Sequence, residues 1–558
     1  MKQLRSNVPR GSSRWAIRRA EWSIYGIREE DLDKPKIAIV NSSNDLAACF
    51  AHLDDIAAEV KKLIRAAGGL GFEVRTAAPS DMITNYGRRG AYILPTRDLI
   101  VNDIEVMVEG AMLDGMICLV SCDKTVPAQL MAAARLNIPT IVIACGYQPS
   151  GQYRGEHIDI EDVWLNGVRN ETGSASYTAE ELSEMGANAI LGPGVCSGMG
   201  TANSMHIVSE ALGMALPGTT PVLANSERMW DAVRRASERI VQMVWEDLKP
   251  RDILTPDAFS NAVKVALAVA GSMNTIKHLQ ALASEAEVDV DIYRLYERYA
   301  DEIPILAGVK PNGDHFIEDF EAAGGTLAVM KQLENHLSTN ALTVTGKTVA
   351  DNLKSAVVIN EEVIRPVDRP MAKGPSIVLV RGTLAPDTGI VKQTTKGDRL
   401  SSFTGKAIVF ESIDEAMAAV RDGRVQPGHV VVLRGVGPKG APGMGFTSSL
   451  AFSLAGANLG DKVAMITDGQ QSGLSNIMLC VNEVQPEAAE GGPIGLVEDG
   501  DTITIDVDRR VVNLEVPEEV LAERRKRLLS KPYTGKGWLQ IYQRLVRPLP
   551  ESGGTLTK

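Results

Sequence analysis

In Gly115-Met116-Ile117-Cys118-Leu119-Val120-Ser121-Cys122-Asp123-Lys124-Thr125-Val126-Pro127, an uninterrupted apolar run of strand length gives way to a thiol, a carboxylate and an amine. Residues 115–120 read as a strand buried on both faces, and residues 128–136 read as an amphipathic helix. Cys122, Asp123 and Lys124 therefore occupy the turn from strand to helix N-terminus, where open α/β folds bind ligands and where the helix end favours anions. Taken alone, the turn favours the plainer reading, a small buried thiol beside an N-capping aspartate.

The same arrangement recurs on either side. Residues 36–40 read as a strand, residues 41–48 as a polar loop, and Cys49 precedes a helix beginning near His52. Residues 188–191 read as a strand leading into the Gly-rich loop 192–200, which contains Cys196, with a helix over 204–216. A parallel sheet lines such turns along one edge, so Cys49, Cys122 and Cys196 could converge on one inorganic centre. Cys118, Cys145 and Cys480 lie inside apolar runs and read as core.

The chain has 558 residues, more than one core usually supports, and a hydrophobic content of 44%. Six dispersed cysteines without paired spacing predict a reducing, cytoplasmic setting with thiols available to metal. A net charge of −12 and a pI near 5.3 argue against a nucleic-acid partner. No apolar run is long enough for a membrane span. The basic opening segment, with Arg14, Arg18 and Arg19, runs into residues 20–26 and reads as a helix of the domain itself.

Strands and helices alternate over residues 36–216, and helix signal dominates from Ser226 to about Met371. Short Val/Ile-rich runs separated by Gly, Pro and Asp follow, at 377–380, 407–410, 430–433, 462–466, 502–507 and 511–514. The predicted architecture is α/β: an N-terminal parallel-sheet α/β domain over residues 1–372 and a C-terminal β-barrel-like domain over residues 373–558. A charged helix is expected over 518–529 and a frayed tail from Pro550. There is no Walker loop, and the Gly-rich loops lack dinucleotide-binding spacing.

Several ordered motifs carry a resemblance: Cys122-Asp123-Lys124; Cys196-Ser197-Gly198-Met199-Gly200-Thr201-Ala202-Asn203; Glu210-Ala211-Leu212-Gly213-Met214; Leu342-Thr343-Val344-Thr345-Gly346-Lys347-Thr348; Gly437-Pro438-Lys439-Gly440-Ala441-Pro442-Gly443-Met444; Thr467-Asp468-Gly469-Gln470-Gln471-Ser472-Gly473; and Pro486-Glu487-Ala488-Ala489-Glu490-Gly491-Gly492. Over most of its length the chain resembles the dihydroxy-acid dehydratase and 6-phosphogluconate dehydratase family, which includes the sugar-acid dehydratases.

The resemblance implies an iron–sulfur cluster, [2Fe-2S] in preference to [4Fe-4S], on Cys49, Cys122 and Cys196. It implies Mg²⁺ on Asp81, Asp123 and a carbamylated Lys124, and Ser472 as the base. Three thiolates leave one iron open as a Lewis acid, and hard Mg²⁺ takes oxygen donors. The implied reaction converts a 2,3-dihydroxy acid to a 2-keto (3-deoxy) acid in a homodimer or homotetramer. Alternatives are a sugar-acid (aldonate) dehydratase, a cluster-bearing sensor without turnover, and an aconitase-type [4Fe-4S] hydro-lyase.

The chain departs from the family at four positions. Phe446 stands where a Glu metal ligand is usual, Gln470 where Arg is common, Glu483 where His is common, and Gly200 in place of a usual Tyr. Phe cannot ligate Mg²⁺, so Glu483 or water is expected to take the lost ligand's place.

Overall fold

In the computed structural model, residues 3–393, 400–473, 477–527 and 536–556 are described. The N-terminal half is built on a parallel sheet of β1 (Lys36–Asn41), β2 (Leu70–Arg75), β3 (Gly115–Val120) and β4 (Thr140–Ala144), in the order β2-β1-β3-β4. Every residue of β1, β3 and β4 is buried, as expected of strands covered on both faces. The chain leaves β1 toward β2 on one side and returns to β3 on the other, so the strand order reverses between β1 and β3. Their C-terminal ends therefore flank a switch-point crevice.

The helix after β3 is Thr125–Leu136, three residues longer at its start than the pattern suggested, so Ser121 and Cys122-Asp123-Lys124 form the whole connection. A two-stranded hairpin, β5 (Gly151–Tyr153) and β6 (Glu156–Ile158), follows β4. The strand expected at 188–191 does not form: residues through Ala189 complete the helix Ala179–Ala189, and Ile190 makes one bridge to Ser150. Three helical turns of apolar positions outweighed the short apolar signal at its end. The helical part contains Glu227–Glu246, Pro256–Ala268 and Thr275–Ala286, the last two almost wholly buried.

The C-terminal half holds an eight-stranded mixed sheet of β7 (Ile377–Val380), β8 (Thr388–Lys392), β9 (Ser402–Phe410), β10 (His429–Leu433), β11 (Ala464–Thr467), β12 (Cys480–Gln485), β13 (Thr502–Asp506) and β14 (Val511–Leu514). Its order is β14-β13-β9-β10-β11-β12-β8-β7, and Arg381, just past β7, bridges to Val511 of β14, which nearly closes the sheet. The barrel-like expectation holds, with one addition. Strands β9 to β12 run parallel, connected in part by the helices Ile413–Arg421 and Ser448–Gly456.

Loops at the ends of these parallel strands carry the C-terminal motifs. The buried Asp468 carboxylate accepts the N–H groups of Gly435, Val436 and Ala488 at 3.0–3.1 Å. Glu487 accepts those of Lys439 and Gly440 at 2.9 Å. Burial, then the Asp468 charge, pushes Glu487 from 4.5 up to about 8. The folded state thus holds this proton up to about pH 8, whereas the unfolded chain releases it near 4.5. The associated stability is fully present below the lower value and is lost as pH rises through the upper one. Thermal melts of Glu487→Gln should therefore decline less than wild type across that window; parallel slopes would rule out Glu487 as the source.

The two halves share a seam. Ile377, Leu379 and Ile390 join the N-terminal hydrophobic core, and Lys392 Nζ donates to the carbonyls of Ala270 and Gly271 at 2.7 and 2.5 Å. The tail is ordered rather than frayed: residues Leu549–Ser552 are helical, and Arg97 donates to the carbonyls of Gly553 and Gly554, both at 2.9 Å. Gly553 has φ +68°, and a Cβ there would meet the Lys277 carbonyl at 2.2 Å, so only glycine allows this return. The charged helix spans Glu518–Arg527; the rest of its expected range lies outside the described residues.

Candidate active site

Cys49 follows β1 in a 3₁₀ turn, Ala48–Phe50, and Cys122 follows β3. Ser121 Oγ donates to the Cys49 carbonyl, joining the two loops across the switch point. Cys196 arrives by another route. Val195 pairs beside Tyr147, in the extension of β4, with Val195 N–H donating to Gly146 O at 3.0 Å and Gln148 N–H to Val195 O at 2.8 Å. Gly194 N–H then donates to Ala48 O at 3.1 Å, and Gly194 has φ +126° with no room for a Cβ against Tyr147. The Cys196 loop is completed by Asn203, whose Nδ2 donates to the carbonyls of Cys196 and Gly198 at 2.9 Å.

These turns surround a cavity of about 250 Å³ lined by Cys49, Cys122, Cys196, Asp81, Asp123 and Ser472. Lys124 lies just behind it, with Nζ 3.7 Å from Asp81 and 4.0 Å from Asp123. All seven residues singled out from the sequence thus come together, although Ser472 is remote in sequence from the others. Cys118 and Cys480 are buried in β3 and β12, and Cys145 is buried just past β4.

Electrostatically the cavity is under-satisfied. Both Asp81 oxygens and Lys124 Nζ are buried without hydrogen-bond partners. Burial and the neighbouring Asp123 charge push the Asp81 carboxyl well up. A hydrogen bond with Cys49, then burial, raises the Cys122 thiol, and burial followed by the Asp123 charge raises Cys196. Without a cation these groups favour their neutral forms; thiolates and carboxylates form there when a metal takes up their charge. Among the described residues no group of three or more His, Cys, Asp or Glu side chains is placed to hold a metal ion as it stands. The donors line an open cavity instead, and their chemistry, three thiols together with hard carboxylate oxygens, fits an iron–sulfur cluster and Mg²⁺.

Phe446 points into an aromatic stack. Its ring lies 6.2 Å from Trp164 and nearly parallel, while Trp164 meets Phe452 edge-on at 4.7 Å. Gly90 packs so tightly on it that an added Cβ would sit 2.9 Å from Phe446 Cβ. Gln470 pairs with it through the backbone, and both amide atoms of the Gln470 side chain are buried without partners. Glu483 does not line the cavity with Asp81 and Asp123. It is fully buried and ion-paired to Lys277, so the expectation that it replaces the lost metal ligand finds no support in the geometry.

The N-terminal model of the dihydroxy-acid/6-phosphogluconate dehydratases matches residues 34–352, and the C-terminal model matches residues 362–553. The chain belongs to the dihydroxy-acid/6-phosphogluconate dehydratase family. It is 41% identical over 553 residues to the dihydroxy-acid dehydratase of Caldicellulosiruptor bescii, covering 98% of each chain. It is 40% identical over 548 residues to that of Pyrococcus furiosus, covering 97% of this chain and 98% of the relative. With that of Aquifex aeolicus it shares 39% identity over 550 residues, or 98% of each. Members of this family are hydro-lyases, and the parallel-sheet N-terminal half with a nearly closed C-terminal sheet is this chain's version of that scaffold. Among the described residues no helix is long and apolar enough to cross a membrane.

What sequence reasoning missed is the supporting network. Burial pulls the His206 imidazole down to about 4, and the backbone of Ser121 and Val120 opposes this shift. His52 Nε2 is 2.6 Å from the Cys145 carbonyl. His206 lies in the helix Thr201–Ala211 and His52 just before the helix Leu53–Ala66, and the apolar pattern of neither gives a sign of a polar contact with a strand end.

Proposed function

We propose that this chain dehydrates a 2,3-dihydroxy carboxylic acid to the 2-keto (3-deoxy) acid, with Ser472 as the base. The observation that carries this reading is the convergence of three thiols, the Asp81–Asp123 pair and Ser472 on one cavity. Cys49, Cys122 and Cys196 would hold a [2Fe-2S] cluster, and Asp81, Asp123 and a carbamylated Lys124 would hold Mg²⁺. When bound, these supply Lewis acidity at the departing C3 oxygen and at the C2 hydroxyl and carboxylate.

Ser472 takes the C2 proton as the C3–O bond breaks, and the departing hydroxide takes that proton from Ser472 and leaves as water, restoring the alkoxide. The enol so formed gains a proton at C3 and becomes the ketone. An ordinary serine hydroxyl is too weak a base, so Ser472 acts only where cations favour its alkoxide. Lys124 lies against Asp81 and Asp123, so its carbamate would join them in holding Mg²⁺, whose charge is of the required sign.

Part of the lining favours an apolar substrate tail: Leu46, Met82, Ile83, Ile160 and Ile190 face the cavity, beside the polar Ser80, Gln148, Thr201 and Asn203. Gly200, also in the lining, leaves room that a bulky residue would fill. The same proposal includes a homodimer or homotetramer, a cytoplasmic setting and a domain boundary near residue 372.

The deciding experiment is anaerobic purification with iron, sulfide and Mg analysis, followed by 2-keto acid assays on branched-chain and sugar-derived dihydroxy acids. Turnover favouring apolar side chains is expected. Preference for aldonates would replace the substrate reading, and a loaded cluster without turnover on any of them would make the chain a binding protein.

A further inference from the structure

Lys277 lies in the helix Thr275–Ala286 and is wholly buried; its ammonium donates to Asn274 Oδ1 and to Glu483 Oε1 of β12. These charges belong to opposite halves of the chain. Asn274 faces the other way with its nitrogen: Nδ2 donates to Thr201 Oγ1 at 2.9 Å and to the carbonyl of Gln471 at 3.0 Å. Gln471 immediately precedes Ser472. On the other side of the serine, Gly473 packs so closely that a Cβ would meet Ser272 Oγ at 2.7 Å and Thr201 N at 2.9 Å. Thr201 Oγ1 and Ser272 Oγ are themselves hydrogen-bonded at 2.9 Å. Both neighbours of Ser472 are thus held by the N-terminal half, while the Ser472 N–H is held within the C-terminal half by Ser448 Oγ at 2.8 Å.

An amide side chain can present oxygen or nitrogen in either direction, and its surroundings decide. A lysine has only donors, so it requires the oxygen of Asn274 to face it, and that leaves the nitrogen for Gln471. A reversed amide would set Oδ1 against the Gln471 carbonyl, two acceptors with no proton between them. Burial pulls Lys277 down to about 8, and the Glu483 charge opposes this most strongly. A buried ion pair of this kind adds little net stability over well-packed apolar residues, so stability alone does not account for it.

We propose that Lys277 and Glu483 are positioning residues for Ser472: Glu483 holds the Lys277 ammonium, Lys277 orients the Asn274 amide, and Asn274 sets the serine loop against the cavity. This rests on the reading of Ser472 as the base. It predicts a defect confined to proton removal rather than to substrate binding.

The test uses the cluster-loaded full chain in three forms: wild type, the charge-free double variant Lys277→Met/Glu483→Gln, and Asn274→Asp, which keeps a partner for Lys277 but loses the donor to Gln471. Both variants should lose about 10- to 100-fold in kcat, with KM little changed. The primary isotope effect with C2-deuterated substrate should rise, because only the C2 proton step is slowed. Iron, sulfide and melting temperature of the double variant should match wild type. Wild-type kcat and isotope effect in either variant would overturn the proposal, as would losses that follow melting temperature or KM alone. A wild-type chain inactive on every dihydroxy acid removes the proposed function, and this inference with it.

Discussion

Ser472→Ala should lower kcat by roughly 10²–10⁴-fold, the usual range for removing a positioned general base. The hydroxyl is the only group lost, and two backbone contacts of the loop remain: Ser472 N–H to Ser448 Oγ at 2.8 Å and the Gln471 carbonyl to Asn274 at 3.0 Å. Iron, sulfide and Mg content should therefore equal wild type, and KM should change far less than kcat. The measurement is steady-state 2-keto acid formation together with metal analysis of the same preparation. If Ser472→Ala retains more than about a tenth of wild-type kcat, a positioned serine base is untenable.

Cys122→Ser should be as severe by a different route. A serine hydroxyl is a poor ligand for iron, so losing one of three thiolates should strip the cluster, with its visible absorbance, its iron and all turnover. Cys145→Ser supplies the contrast, since Cys145 lies one residue beyond β4, with its thiol against the Ile143 carbonyl at 3.6 Å and away from the cavity. Placing a hydroxyl there should cost about 1 kcal/mol of stability and leave the cluster in place. Equal iron in the two variants would remove Cys122 from the ligand set.

The strand-end placement of Cys49 and Cys122 was legible because it depends on local patterns: continuous apolar runs ending in polar turns before amphipathic helices. Cys196 was found by the same reasoning but for an incomplete reason. Its preceding strand is a helix end, and the loop reaches the site through Val195 pairing beside Tyr147, a contact with no periodic signature. Asp81 and Ser472 could be singled out only through family resemblance, since each by itself looks like a turn residue.

Phe446 marks the limit of reading motif by motif. Its identity showed that a carboxylate was missing, but its stack with Trp164 and its contact with Gly90 join segments far apart in the chain. Glu483 is the sharper case. It stands where a His is common and was expected to take the lost ligand's place, whereas Lys277, 206 residues away in sequence, already pairs with it. The buried tail is similar: Pro, Gly and Ser near the end signal fraying, until Arg97 supplies donors for the Gly553 and Gly554 carbonyls.

By itself, then, the sequence determined the parallel sheet, the barrel-like second half, Cys49 and Cys122 at strand ends and the family, because each is written in local periodicity or in ordered motifs. Only the tertiary structure decided which charges meet. Burial makes each buried ion need a partner, and partners are chosen by proximity in space, so Lys277, Glu483 and Asn274 became one network only once the two halves had closed around Ser472.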